Sequence, residues 1–271
     1  MIEGVGGGVA FARRGSLITS HPRDEAIAER LVSRILRKWP DRTKIERRDP
    51  DAVAGIEPGL QAPGATWLLK NEGQVDAQAF MAASRRFLEA RASVRDECAV
   101  RAVRPGELVF ADGSRRRFDW VYDCRGLGAD SAELPMRGVR GEVLWLSTPE
   151  VSLSRPVRVM HPRYRIYVVP RPGDTFLIGA TEIESEDLSP VSVRSVMELA
   201  SATAIVDPAF LEARVIRTDV GLRPATPDNQ PYLGSRDGVT TINGLFRHGY
   251  LIAPALVEDA IGQSITERSI A

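Results

Sequence analysis

Apolar residues recur along this chain with two periods, and the switch between them predicts its elements. From Asp24 to Trp39, Ile27, Leu31 and Ile35 return every fourth residue, with Ala28, Val32, Leu36 and Trp39 beside them. Glu29, Arg30, Arg34, Arg37 and Lys38 hold the opposite face. This is an amphipathic helix whose acid-first, base-last order suits the helix dipole, and Pro40 stops it. A second helix is predicted over Ala77–Arg91, with Asp76 as N-cap and Phe80, Ala83, Phe87 and Leu88 as its buried stripe. A third begins at Ser189-Pro190, with Ser189 as cap and Val193, Val196, Met197, Ala200 and Ala204 facing inward. A short helix and turn occupy Arg48–Pro58.

Elsewhere the period falls to two, the signature of strands. Val9–Thr19 reads as two strands around a turn at Gly15, and Trp67–Lys70 as one more. Cys98–Val103, Leu108–Phe110 and Phe118–Asp123 follow, then Val139–Leu146, Val157–Met160, Arg165–Val169 and Thr175–Thr181. The turn Arg171-Pro-Gly-Asp174 predicts that the last two form an antiparallel hairpin. Ala213–Arg223 is a further strand.

Composition narrows the class. The chain has 271 residues, 43% of them hydrophobic, enough for a sizeable core. Its 36 basic and 36 acidic residues give zero formal net charge and remove a global drive towards nucleic acid. No apolar run reaches the roughly 18–20 residues of a membrane span. Cys98 and Cys124 are widely spaced, and His21, His161 and His248 lie far apart, so no local metal pattern emerges. A cytoplasmic protein with reduced thiols is expected. Gly4, Gly6, Gly7 and Gly8 do not make a dinucleotide loop, because strands rather than a helix follow them.

Candidate chemistry gathers near the end of the chain. Thr241-Ile-Asn-Gly-Leu-Phe-Arg-His-Gly-Tyr-Leu-Ile-Ala-Pro-Ala-Leu256 reads as a short strand, a glycine-bearing turn and an apolar helix. Gly249 stands at the turn and Pro254 in the first helical turn. Backbone N–H groups and a positive dipole end at such a junction, beside Arg247, suit an anionic or electron-rich ligand. A plain strand–helix connection with a surface arginine reads equally well. The strand ending in Cys124-Arg-Gly-Leu-Gly-Ala129 offers a second close backbone approach, or a simple strand terminus.

The C-terminal stretch resembles the FAD-binding motif of the amino-acid oxidase family, specifically its glycine oxidase branch of thiamine biosynthesis. Tyr167-Val-Val-Pro-Arg171, Ile178-Gly-Ala-Thr181 and Gly221-Leu-Arg-Pro-Ala-Thr-Pro-Asp228 match the same family in the same order. The resemblance implies an α/β (α+β) fold in which two parts interleave. One is an incomplete FAD-binding, Rossmann-like domain over 98–136 and 226–265; the other is a mostly antiparallel substrate domain over 6–97 and 137–225. It implies FAD as cofactor, a small amino acid or amine as substrate and dioxygen as oxidant. Arg223 matches the carboxylate-binding arginine, Tyr167 the aromatic residue that closes the site, and Arg247 a second arginine at the boundary of substrate and cofactor. FAD contacts are expected from Val100, Gly126 and Gly128, and from Leu245, Phe246, Arg247, His248, Gly249, Tyr250 and Leu251. Glu182 departs from the apolar residue the family pattern carries there.

The family begins with a strand–GxGxxG–helix unit that this sequence does not show. Two functions therefore stand side by side. One is oxidative deamination of glycine or another small amine. The other is a truncated or split member that does not hold FAD alone and acts as a subunit. A homo-oligomer, or a partner chain supplying the glycine-rich loop, is the corresponding expectation for assembly.

Overall fold

The computed structural model describes residues 8–270 apart from 40, 42, 43, 62, 63, 130, 132 and 164. Gly4, Gly6 and Gly7 of the glycine cluster, and Pro40, lie outside the described residues. The elements run in the order β1 (Phe11–Ala12), β2 (Ser16–Ser20), α1 (Glu25–Lys38), β3 (Ile45–Arg48), α2 (Pro50–Ala54), β4 (Thr66–Leu69), β5 (Gln74–Val75) and α3 (Ala77–Glu89). Four short strands follow: β6 (Val100–Arg104), β7 (Glu107–Phe110), β8 (Arg115–Arg117) and β9 (Val121–Asp123). Then come β10 (Arg137–Ser147), β11 (Val157–Met160), β12 (Arg165–Arg171), β13 (Thr175–Gly179) and α4 (Val193–Thr203). The chain closes with β14 (Arg214–Ala225), β15 (Tyr232–Arg236), β16 (Val239–Asn243) and α5 (Gly249–Ile270).

Eight strands form one sheet in the order β14-β10-β13-β12-β11-β2-β4-β3. Every pair in it is antiparallel except β11 with β2. The expected hairpin is present, with Tyr167 opposite Gly179 and Arg171 opposite Thr175. Alternation decides which side of the sheet is buried. Leu144, Leu146, Ile166, Val168, Phe176 and Ile178 lie with Leu199 and Phe210 in one core. Phe176 and Phe210 meet edge to face, with ring centroids 4.9 Å apart. Each such side chain contributes about 1.5–3 kcal/mol on burial. A smaller core joins Ala28 and Val32 of α1 to Ile18, Trp67 and Met160.

A separate three-stranded sheet has the order β15-β16-β9, with β16 and β9 parallel. It leads directly into α5. The meander β6-β7-β8 stands apart from both. Its third strand, three exposed arginines, carries no apolar signal and forms through backbone pairing with β7.

Four expectations need correction. The cap of α4 is Ser192, which accepts the Ser195 amide at 3.1 Å, while Ser189 bonds to the Asp187 carboxylate. Ser195, Leu199, Ala202 and Thr203 are the buried residues of α4, Val196 and Ala200 pack against the core as expected, and Val193 and Met197 are exposed. Asp76 does cap α3, accepting the Ala79 amide at 3.0 Å, but Leu88 lies at the surface and only Ala83 of the stripe is fully buried. Pro254 stands inside α5, in its second turn rather than its first. Phe118 precedes β9, which starts at Val121.

Candidate active site

Two side chains of the eight-stranded sheet, on β12 and β14, each lie on a bare backbone of the strand beside them. Tyr167 of β12 lies across Gly179 of β13, and Arg223 of β14 lies across Gly141 of β10. A Cβ on Gly179 would overlap the phenol, and one on Gly141 would overlap the guanidinium. Glycine is therefore required at both places for the side chains to lie flat on the sheet.

Arg223 is held from behind. Its Nη1 donates to the Thr181 carbonyl at 3.1 Å and to the Arg140 carbonyl at 3.4 Å. Burial lowers the Arg223 pKa, and the charge of Arg247 adds to this, while Tyr167 and Glu182 oppose it. Burial raises the Tyr167 pKa against the charges of Arg223, Arg247 and Arg171. The phenol therefore remains a neutral donor near neutral pH, facing a cationic grip.

The backing of Arg223 is itself a buried ion pair that the sequence reading did not single out. Arg140 donates to Glu142 from Nη2 at 2.7 Å and from Nε at 3.0 Å, and both side chains are buried. Glu142 also accepts the Thr181 hydroxyl at 3.1 Å. Arg140 further donates to the carbonyls of Asp187, Ser189 and Pro190, which ties down the segment after β13. Burial pushes the Glu142 carboxyl upward, but hydrogen bonds from Ser195, Arg140 and Thr181 outweigh it and hold the pKa below its ordinary value. A signal was present: Arg140 and Glu142 are two charges on one face of an otherwise apolar strand.

Arg247 reaches the site from the turn after β16 and pairs with Glu182 at 2.5 Å. The unexpected acid at position 182 thus meets the second arginine. Both partners are partly exposed, so the pair contributes about 0–1 kcal/mol.

The turn regions converge on the same end of β14. Gly126 adopts a left-handed backbone, accepts Asn243 Nδ2 at 2.9 Å, and would place a Cβ 3.1 Å from Pro224 Cγ. Gly128 lies in the same single turn of 3-10 helix. The Phe246 amide donates to the Pro224 carbonyl at 3.1 Å. Leu245 accepts the His248 amide, and the His248 carbonyl takes the amides of Leu251 and Ile252. Gly249 and Tyr250 hold the first positions of α5, where amides have no acceptor within the helix. Gly126, Leu245, Phe246, Arg247, His248 and Gly249 are thus drawn towards Arg223. The three remaining residues have surroundings of their own. The Val100 carbonyl is taken by Arg125, Tyr250 packs edge-on against Phe80, and Leu251 is exposed.

These backbone turns, a helix start and a half-buried guanidinium fit the flavin end of FAD, whose ring edge accepts hydrogen bonds. Among the described residues no cluster could hold a metal ion, and no helix is long and apolar enough to cross a membrane. A cavity of about 890 Å³ opens beside the site. Ala180, Thr181, Glu182 and Arg247 line it, whereas Tyr167 and Arg223 do not.

Known proteins resemble this chain in sequence and in fold. The putative thiamine biosynthesis oxidoreductase ThiO of Rhizobium etli is 40% identical over 258 residues, covering 94% of this chain and 73% of the relative. The glycine oxidase of Bacillus subtilis is 34% identical over 146 residues, 50% of this chain and 36% of that protein. The crystal structure of glycine oxidase from Geobacillus kaustophilus superposes with a TM-score of 0.77 at 24% identity, covering 94% of this chain and 72% of that one, a likeness of fold. The family model "DAO: FAD dependent oxidoreductase" matches residues 2–260. With nearly the whole length matched, the chain belongs to this family of FAD-dependent oxidoreductases.

Proposed function

We propose that the chain oxidises glycine, or another small primary or secondary amine that carries a carboxylate, in the cytoplasm and in the service of thiamine biosynthesis. The observation that carries this reading is the gathering of Arg223, Tyr167 and Arg247 beside the Gly126 and Phe246 turns. The likeness to ThiO and to glycine oxidase supports it. The unpaired Cys98 and Cys124 fit a reducing compartment.

The substrate carboxylate would lie on the free edge of the Arg223 guanidinium, because Nη1 is committed to two carbonyls. Tyr167 would donate its phenolic proton as a hydrogen bond to the same carboxylate and close the space against water. Arg247 would stand at the border with the cofactor. FAD, when bound, supplies the two-electron acceptor and passes the electrons to dioxygen. For glycine the balance is glycine plus dioxygen plus water giving glyoxylate, ammonia and hydrogen peroxide. We assign the eight-stranded sheet, within 6–97 and 137–225, to substrate, and 98–136 with 226–265 to cofactor.

One observation supports a role for a second polypeptide surface. β9 is an edge strand among the described residues, and Tyr122, Tyr250, Leu251, Val257 and Ile261 expose apolar surface. A second copy, or a partner chain bearing a glycine-rich loop, would cover it. The test is a visible spectrum of the purified chain with added FAD, followed by a peroxide assay with glycine. Flavin bands that survive desalting, with glycine-dependent peroxide, are expected. A protein that keeps no flavin would overturn autonomous activity, and light scattering with candidate partners would then decide between copy and partner.

A further inference from the structure

The cavity of about 890 Å³ beside Arg247 carries charge that glycine oxidation does not use. Its floor is apolar, built from Ile27 of α1, Ile166 of β12 and Leu199 of α4. Its wall bears Arg163, Arg165, Arg194 and Arg247 against Glu182 and Glu198. Arg247 and Glu182 neutralise one another. Arg163, Arg165 and Arg194 form no ion pair among the described residues. Three guanidiniums therefore face one remaining acid, and the space holds a positive potential that an oxyanion would relieve. Thr181 joins the two sites: it lines the cavity, and its carbonyl accepts Arg223. Glycine has one carboxylate, which Arg223 would take, and nothing left to answer the other three charges.

We propose that the preferred substrate is an amine with a second carboxylate, seated among Arg163, Arg165 and Arg194 while Arg223 holds the first. This rests on the amine oxidation proposed above. The second carboxylate can hang from the nitrogen or from Cα; the chemistry recognised is the same, and two substrates separate the cases. Guanidiniums suit it because each offers a planar, permanently charged fork to a carboxylate. Glu182 pairs with Arg247 on the cavity wall and leaves Arg163, Arg165 and Arg194 as the cations open to the second carboxylate.

The test compares peroxide formation from glycine, N-(carboxymethyl)glycine and D-aspartate by the FAD-loaded protein and by Arg165→Gln and Arg194→Gln. One dicarboxylate is expected to exceed glycine in kcat/KM. Each substitution is expected to lower that value about tenfold, to leave glycine unchanged, and to be rescued by lysine. Calorimetric titration with succinate and with acetate gives a readout independent of turnover, and succinate should bind more tightly at low salt. Glycine turnover that equals or exceeds both dicarboxylates, or variants that lower all substrates alike, would overturn the inference and leave amine oxidation standing. If no amine is oxidised, deamination falls; succinate binding that is lost in both variants then upholds the anion site. Equal binding of succinate and acetate refutes it.

Discussion

The two sheets of this molecule are finished to different degrees. On one side of the eight-stranded sheet, Leu144, Ile166, Val168 and Ile178 are shielded almost completely from solvent by α4 and its neighbours. The three-stranded sheet has Tyr122 on its edge strand at 45% exposure, and Leu251 of the adjoining α5 reaches 81%. The first sheet closes its own core; the second, with α5, leaves apolar side chains exposed. On the domain assignment proposed above, the difference would give rigidity to the eight-stranded sheet and ligand dependence to the three-stranded one.

The comparison breaks most readily at Glu142. Glu142→Ala leaves Arg140 buried without its acid, and should cost about 3–5 kcal/mol of stability in urea denaturation. A loss below 1 kcal/mol would show that the sheet does not depend on this pair. The same group sets an acid limit. Its folded pKa lies below its unfolded value, so its stabilisation is complete above the ordinary carboxylate range and disappears as pH falls through the folded pKa. Midpoints measured across acid pH should drop more steeply for the parent than for Glu142→Gln.

Arg223→Lys tests the site and spares the sheet. A lysine lacks the fork that reaches two carbonyls and a carboxylate together, so kcat/KM should fall about a hundredfold. The melting temperature should move little, which a thermal scan reads directly.

FAD sharpens the contrast from the other side. At a hundredfold excess over its Kd it should add about 2.7 kcal/mol, by linkage to the folded state. Hydrogen exchange should place the new protection in β16 and the start of α5, and leave β10–β13 unchanged. Protection spread evenly over both sheets would erase the distinction drawn here.

The smallest effect is expected at Ser192. Ser192→Ala removes one cap bond of α4 and should cost about 1 kcal/mol.

The sequence showed the long elements because periodicity reports burial on a single face. α1, β10, β12 and β13 were all legible for that reason. α4 was misread because its buried face includes Ser195 and Thr203, polar residues whose hydroxyls bond locally, Ser195 with Ser192 and Thr203 with the Ala200 carbonyl. β8 was invisible because its pairing lies in the backbone alone. Tyr167, Arg223 and Arg247 are legible only through the motifs that carry them, and in the structure they lie close enough for their charges to act on one another. Arg140 and Glu142 were overlooked because a buried ion pair reads, in one dimension, as two surface charges.

The two carbonyls behind Arg223 carry a stereochemical consequence. With Nη1 fixed by Thr181 and Arg140, the guanidinium plane cannot turn, and it offers a carboxylate one edge. A glycine held on that edge, with the cofactor to one side, presents two α-hydrogens that are no longer equivalent. In the proposed binding mode the site would therefore distinguish the two hydrogens of glycine's prochiral Cα. Glycine bearing deuterium at one α-position would release or retain its label according to which face is turned to the flavin, and a side chain would be tolerated in only one configuration.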